Sequence, residues 1–153
     1  MIIAKNYNSA KLLTSLFRLR KVHKTYLAIC HGVFKNKKGE IRGNLVKYEK
    51  EKKISELAIT NYNVISSNNF FSFLELKPIT GRKHQLRKQL SFMGNPIVGD
   101  VKYNIIKSKN KDQKKLMLHS YKIKFLINNN KFNFKAKLPD YFNNYLTKKR
   151  LII

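Results

Sequence analysis

Acidic residues are scarce in this chain of 153 residues: 8 Asp and Glu stand against 33 Lys and Arg, a formal net charge of +25. Solubility needs nothing like that excess. It points to a polyanionic partner, because cations that neutralise phosphates release condensed counterions and so drive association. Nucleic acid is the first candidate and an anionic membrane surface the second; a composition bias toward lysine, alongside many Asn and Ile residues, is the bland alternative. Cysteine is nearly absent. The single Cys30 excludes an intrachain disulfide and fits a reducing compartment. It falls in an apolar, strand-like run and reads as a core filler, not a nucleophile. Long apolar runs are missing too, none approaching the roughly 20 residues of a membrane span. The opening M-I-I-A-K-N lacks the basic-then-apolar layout of a signal peptide. A cytoplasmic protein that does not enter a membrane is expected. The four histidines, His23, His31, His84 and His119, are scattered without metal-ligand spacing, so no metal is expected.

What is present suffices for a core: 42% of residues are hydrophobic, and the length suits one domain. Ile2 to Ala4 reads as the end of a short strand. Asn8 or Ser9 could cap a helix with an apolar stripe of Leu12, Leu13, Leu16, Phe17 and Leu19. Arg18, Arg20 and Lys21 in its last turn suit a helix C-terminus. Lys24 to His31 alternates toward Gly32 and predicts a strand. The Lys- and Gly-rich stretch from Phe34 to Lys53 predicts a hairpin or mobile loop facing a polyanion. Strands follow over Glu56 to Ile65 and Phe70 to Lys77, with S-S-N-N supplying turn chemistry between them. His84 to Met93 predicts a helix with Leu86, Leu90 and Met93 on one face, ended by Gly94, Asn95 and Pro96. A second Lys-rich loop falls near Lys107 to Lys115. Leu116 to Ile127 and Lys131 to Lys137 read as strands joined by N-N-N, and a short helix starts at Asp140. Strands dominate, and the expected class is α+β, with a mainly antiparallel sheet flanked by helices.

The strongest chemical signal is P-I-T-G-R-K-H-Q-L-R, Pro78 to Arg87. A glycine after a strand, then two arginines around a helix start, makes an anion site from backbone N–H groups and guanidinium forks. Arg82 and Arg87 are five apart and cannot share a helical face, so one could grip phosphate while the other points into a pocket. A lone arginine is more often a solvated surface residue. His84 and Gln85 in the same turn tilt this one toward a site.

The run L-E-L-K-P-I-T-G-R-K-H-Q-L-R resembles the third signature motif of the RluA family of pseudouridine synthases, in its large-subunit ribosomal RNA type. G-N-P-I-V-G-D-V-K-Y, L-M-L-H-S-Y-K-I-K-F and F-K-A-K-L-P follow in the family's order, and A-K-N and K-T-Y-L-A-I-C-H-G precede it. The resemblance implies isomerisation of uridine to pseudouridine in RNA, with no cofactor: a carboxylate participates in breaking the base–sugar bond, and the base turns and rejoins through carbon. It implies Tyr26 as the active-site tyrosine that packs on the base, and Arg87 as the salt-bridge partner of the catalytic aspartate. Arg82 and His84 would border the pocket, Arg82 as a phosphate contact, with Leu86 on the pocket wall and Lys24 and Lys83 toward RNA. Asp100 would be a turn residue. A flipped-out base does need a stacking aromatic, and a paired arginine keeps a carboxylate ionised.

The family's nucleophile is an aspartate in an H-R-L-D-x-x-T-S-G loop just before the strand leading into A-K-N. Here Met1 and Ile2 already occupy that strand, and the first acidic residue is Glu40. The expectation is therefore that residues 1–153 form the C-terminal part of a catalytic domain, without the aspartate motif or an S4-like RNA-binding domain. Such a chain would have no turnover by itself, and Arg87 would be left as uncompensated positive charge. The competing readings are a non-catalytic RNA-binding module, the product of a split or decaying gene, and a small ribosome-associated basic protein. The expected partner is RNA, ribosomal before transfer RNA, and a monomer is the default.

Overall fold

The computed structural model describes residues 2–104 and 115–151. Among them are three helices, α1 (Tyr7–Arg18), α2 (Gln85–Phe92) and α3 (Asp140–Lys148), and six strands. The strands are β1 (His23–His31), β2 (Lys38–Glu49), β3 (Lys52–Ser67), β4 (Phe71–Pro78), β5 (Leu118–Ile127) and β6 (Asn130–Lys135). They form one sheet in the order β2-β3-β4-β1-β5-β6, with every neighbouring pair antiparallel. The expected α+β class is the observed one.

Local chemistry sets most of the boundaries. Asn68 Oδ1 accepts from the N–H groups of Phe70 and Phe71, both at 2.9 Å, and so folds the turn between β3 and β4. Asn128 and Asn129 take φ of 47° and 63°, the left-handed pair that a two-residue hairpin needs and that asparagine tolerates, between β5 and β6. The Phe34–Lys53 stretch supplies the first strand and the turn of a hairpin: β2 pairs with β3 from Lys38↔Asn63 to Glu49↔Lys52, so the return strand runs on well past Lys53. Helix α1 begins earlier than its sequence suggests, because Asn6 Oδ1 accepts from Ser9 N at 2.9 Å and is the cap. Ile2 to Ala4 is not a strand. Ile2 instead packs beside Leu13, Leu16 and Val22. Of the α1 stripe only Leu16 is buried; Leu12, Phe17 and Leu19 stay exposed. In α2, Leu86 and Leu90 are buried, whereas Met93 lies past the helix end and is exposed. The Lys-rich loop near Lys107 lies outside the described residues, apart from Lys115 at its end.

Register decides which helix covers which face. Tyr62, Leu76, Tyr26 and Ser120 stand opposite one another across β3, β4, β1 and β5, so they share a face. Helix α2 lies on that face, since its Gln85 and Gln89 bond to Thr60, two residues before Tyr62 on β3. Helix α1 is there too: its Leu16 packs with Ile123, and Ile123 stands opposite Lys24, two residues before Tyr26. Helix α3 takes the other face, where Phe142 lies 6.1 Å from Phe73 and 6.4 Å from His119, ring to ring. With both faces covered along its second half, β1 reads Leu27-Ala28-Ile29-Cys30, all buried, with no alternation.

Candidate active site

Gln85 explains how the segment from Pro78 to Arg87 keeps its shape. It is 4% exposed and fully bonded. Its amide donates to the carbonyl of Ile59 (3.0 Å) and to Thr60 Oγ1 (2.9 Å). Its oxygen accepts from Thr80 Oγ1 (2.7 Å) and from the backbone N–H of Arg82 (3.0 Å). One turn on, Gln89 donates to the carbonyls of Ala58 and Ile41, both at 3.1 Å, and accepts from Thr60 Oγ1 at 2.7 Å. Two buried amides thus fasten the start of α2 to β3 and hold the Thr80–Arg82 loop. A buried amide left half-satisfied costs about 1–3 kcal/mol, so this network specifies one geometry.

Arg87 has a partner within the chain. Its Nε and Nη2 donate to the two carboxylate oxygens of Asp100 at 2.8 and 2.6 Å, a two-pronged pair in which Asp100 is 1% and Arg87 20% exposed. Asp100 Oδ1 also accepts from the backbone N–H groups of Lys102 and Tyr103, each at 3.0 Å, which is the turn role its motif suggested. The guanidinium carbon of Arg87 sits 5.0 Å from the centre of the Tyr103 ring. The expectation of an uncompensated Arg87 is therefore corrected. Its charge is matched by Asp100, brought to it by the loop that follows α2. Gly99 makes that loop possible: its φ is +76°, and a Cβ there would overlap the carbonyl of Lys115. Burial works to raise the Asp100 pKa, but the hydrogen bonds from Arg87 and Tyr103 N–H and the charge of Arg87 outweigh it and hold the carboxyl below its usual range. Arg87 is pushed upward, chiefly by its hydrogen bond to Asp100.

His84 precedes α2 in the left-handed conformation, φ 54° and ψ 30°, and its Nδ1 is 2.9 Å from the hydroxyl of Tyr103. Its pKa is lowered, first by desolvation and then by the charges of Arg87, Lys102, Lys83 and Lys88. His84 and Arg87 thus meet through Tyr103. Arg82 turns the other way: its Nη1 lies 2.7 Å from Glu56 Oε1, and its Nε donates to the Leu57 carbonyl at 3.2 Å. Lys83 is exposed at the helix start, while Leu86 is buried in the main core. Lys24 reaches the same loop from β1, a Cβ on Gly81 lying 3.6 Å from its Nζ. Burial lowers the Lys24 pKa. Tyr26, half-buried, shares its face with α1 and α2.

These elements pair a half-buried aromatic with a basic, rigidly held loop on one sheet face. Comparison with known proteins decides the family. A family profile described as RNA pseudouridylate synthase matches residues 1–92. The chain belongs to that family. A Rickettsia bellii protein named ribosomal large subunit pseudouridine synthase C is 40% identical, over 94% of this chain and 51% of its own length. A Borreliella burgdorferi protein named ribosomal large subunit pseudouridine synthase D is 33% identical, over 96% and 47%. The structure called human RNA pseudouridylate synthase domain containing 4 superposes with a TM-score of 0.85 at 28% identity, over 98% of this chain and 70% of that one. The chain spans about half the length of the curated relatives named here.

Sequence reasoning had placed Gln85 in the motif without a role, and it missed Gln89 and Tyr103. The Asp100–Arg87 pair had no sequence signal, since partners 13 residues apart, one on a helix and one in a loop, follow no periodicity. Among the described residues no helix is long and apolar enough to cross a membrane.

Proposed function

We propose that this chain supplies the tyrosine and basic-loop side of a site that isomerises uridine to pseudouridine in RNA, with large-subunit ribosomal RNA as substrate. The carrying observation is Tyr26 on the sheet face that also bears the Thr80–Arg87 segment. A base turned out of its RNA would stack on Tyr26, while Arg82, Lys83 and Lys24 meet flanking phosphates. Arg82 has Nη2 left beyond its contacts to Glu56 and the Leu57 carbonyl, and Lys83 is exposed. Held by Asp100, Arg87 acts through the position it gives α2 and Tyr103.

The reaction also needs a carboxylate beside the base. Asp100 accepts four hydrogen bonds and is closed to solvent. Glu56 is engaged by Arg82 and Lys47, and Glu75 stands on β4 one residue from Leu76, facing away from Tyr26. The engagement of these three, among the described residues, supports the reading that the chain by itself binds RNA without turnover. These engaged carboxylates also favour the second reading, a binding module that never isomerises.

The test is tritium release from ribosomal RNA labelled at uridine C5, since that hydrogen leaves the carbon when it bonds to the sugar. No release is expected from the chain alone. Release is expected once an H-R-L-D-x-x-T-S-G loop is fused ahead of Met1, and Tyr26→Phe should abolish it. Release by the unmodified chain would refute its inactivity. RNA binding with no release from the fusion would leave the binding module.

A further inference from the structure

The sheet face that carries α3 also holds a cleft of about 580 Å³, lined by Arg20, Lys24, Lys77, Lys122 and Lys124, with Glu75 as its one carboxylate. Register puts its Lys77, Lys122 and Lys124 behind Tyr26, while Lys24 and Pro78 stand in rows of the Tyr26 face, so the cleft opens around the strand ends. Asn61 stands opposite Lys77, Thr25 opposite Lys122 and His23 opposite Lys124, all in rows that alternate with the Tyr26 row and so point the other way. Glu75 is already taken, 2.6 Å from Lys77 Nζ. Among the described residues no carboxylate lies within ion-pair distance of Lys122 or Lys124. These two project from one strand two residues apart, roughly 6.8 Å at about 3.4 Å per residue, a separation comparable to that of successive phosphates on an extended strand. The rest of the lining includes Val22, Thr25, Pro78 and Ile79, and no Phe or Tyr. His23 is the one aromatic ring in the lining, so the cleft offers no run of aromatic platforms on which successive bases would stack. Lys24 and Ile79 line the cleft as well, and Lys24 Nζ lies against Gly81, so the cleft reaches the loop that leads to Arg82.

We propose that this cleft is a second RNA-binding surface, which holds the ribose-phosphate backbone of the segment flanking the target uridine without reading its sequence. The inference rests on the RNA reading above and extends it to the opposite face of the sheet. The backbone passes the strand ends at Lys24 and continues over Lys77, Lys122 and Lys124. Contacts of this kind position a nucleic acid and make its binding salt-dependent, and they leave base choice to the Tyr26 side.

The experiment compares the full chain with two double variants of equal charge loss, using anisotropy of a short fluorescein-labelled oligouridylate over a salt series. Lys122→Gln with Lys124→Gln removes cleft cations. Lys148→Gln with Arg150→Gln removes exposed cations from the end of α3, which sits by Asn68 and Phe71 at the opposite end of β4 from Lys77. At about 0.7 counterions per single-strand phosphate, losing two contacts makes the slope of log K against log salt shallower by about 1.4 and weakens binding about 25-fold near 0.1 M salt. The control pair should stay within about twofold, its charges lying away from the contact. An oligoadenylate should show the same cleft loss. Thermal melts unchanged in both pairs keep folding out of the comparison. Equal losses in the two pairs would overturn the proposal in favour of diffuse net charge, and so would an unchanged cleft pair. If phosphatidylserine vesicles lose the cleft pair while oligouridylate does not, the surface is a membrane contact and the proposal falls. Failure of the unmodified chain to bind either oligonucleotide would overturn the RNA reading itself, along with this inference.

Discussion

Replacing Asp100 by Asn tests the central correction to the site. The substitution keeps an oxygen to accept from Lys102 and Tyr103 N–H but turns an amide donor toward the Arg87 guanidinium. Breaking a buried ion pair by removing one partner costs about 3–5 kcal/mol, because a charge is left without its mate. Arg87 is 20% exposed and can rehydrate in part, which brings the expected loss to about 2–3 kcal/mol. For a domain of this size each kcal/mol moves Tm by about 2–4 °C, so a fall of about 5–10 °C is expected by circular dichroism at neutral pH. The acid limb gives an independent reading. A carboxylate whose folded pKa is depressed contributes stability that is fully present above its unfolded value, about 3.9, and is lost as pH falls through the folded one. Tm of the unmodified protein should therefore fall below about pH 4. Asp100→Asn should lack that part of the fall, so the two curves converge in acid. A neutral-pH shift of under about 2 °C, or parallel curves, would refute the pair as a stabilising element.

Four other outcomes are expected. Gln89→Leu takes the amide donor from the carbonyls of Ala58 and Ile41 and the acceptor from the Thr60 O–H, whose oxygen keeps the Gln85 amide, and should cost about 2–3 kcal/mol in urea unfolding. A change below about 0.5 kcal/mol would remove the amide from the network. Cys30 is fully buried and burial pushes its thiol up, so a thiol reagent should label it at the rate of global unfolding; fast labelling of the native chain would contradict the packing. His84 should titrate below the ordinary value of about 6.5 in an NMR series. Arg87→Met should move that midpoint up, since one neighbouring cation is gone, and an unmoved midpoint would separate the two residues. Reversing lysines across the Lys35–Lys53 hairpin should weaken RNA binding and flatten its salt dependence. Unchanged binding over a salt titration would take the hairpin out of the interface.

The sequence by itself determined the elements and the family. Asparagines at 68, 128 and 129 announced their turns because their own side chains or left-handed tolerance make them. The alternation before Gly32 announced β1, and the ordered motifs carried the resemblance that the comparisons bear out. Local rules also misled: Ile2 to Ala4 pairs with nothing, and only Leu16 of the α1 stripe is buried, since burial depends on what lies opposite. The tertiary structure alone decided which cations have mates. Arg87 and Asp100 meet because α2 and the loop after it fold back on one another, and Arg82 turns to Glu56, 26 residues away on β3. It alone also decided that Tyr26 and the Lys122–Lys124 pair face opposite sides of one sheet. A bulge between Thr25 and Tyr26 sets the pairing of β1 with β5, and no period in the sequence marks it.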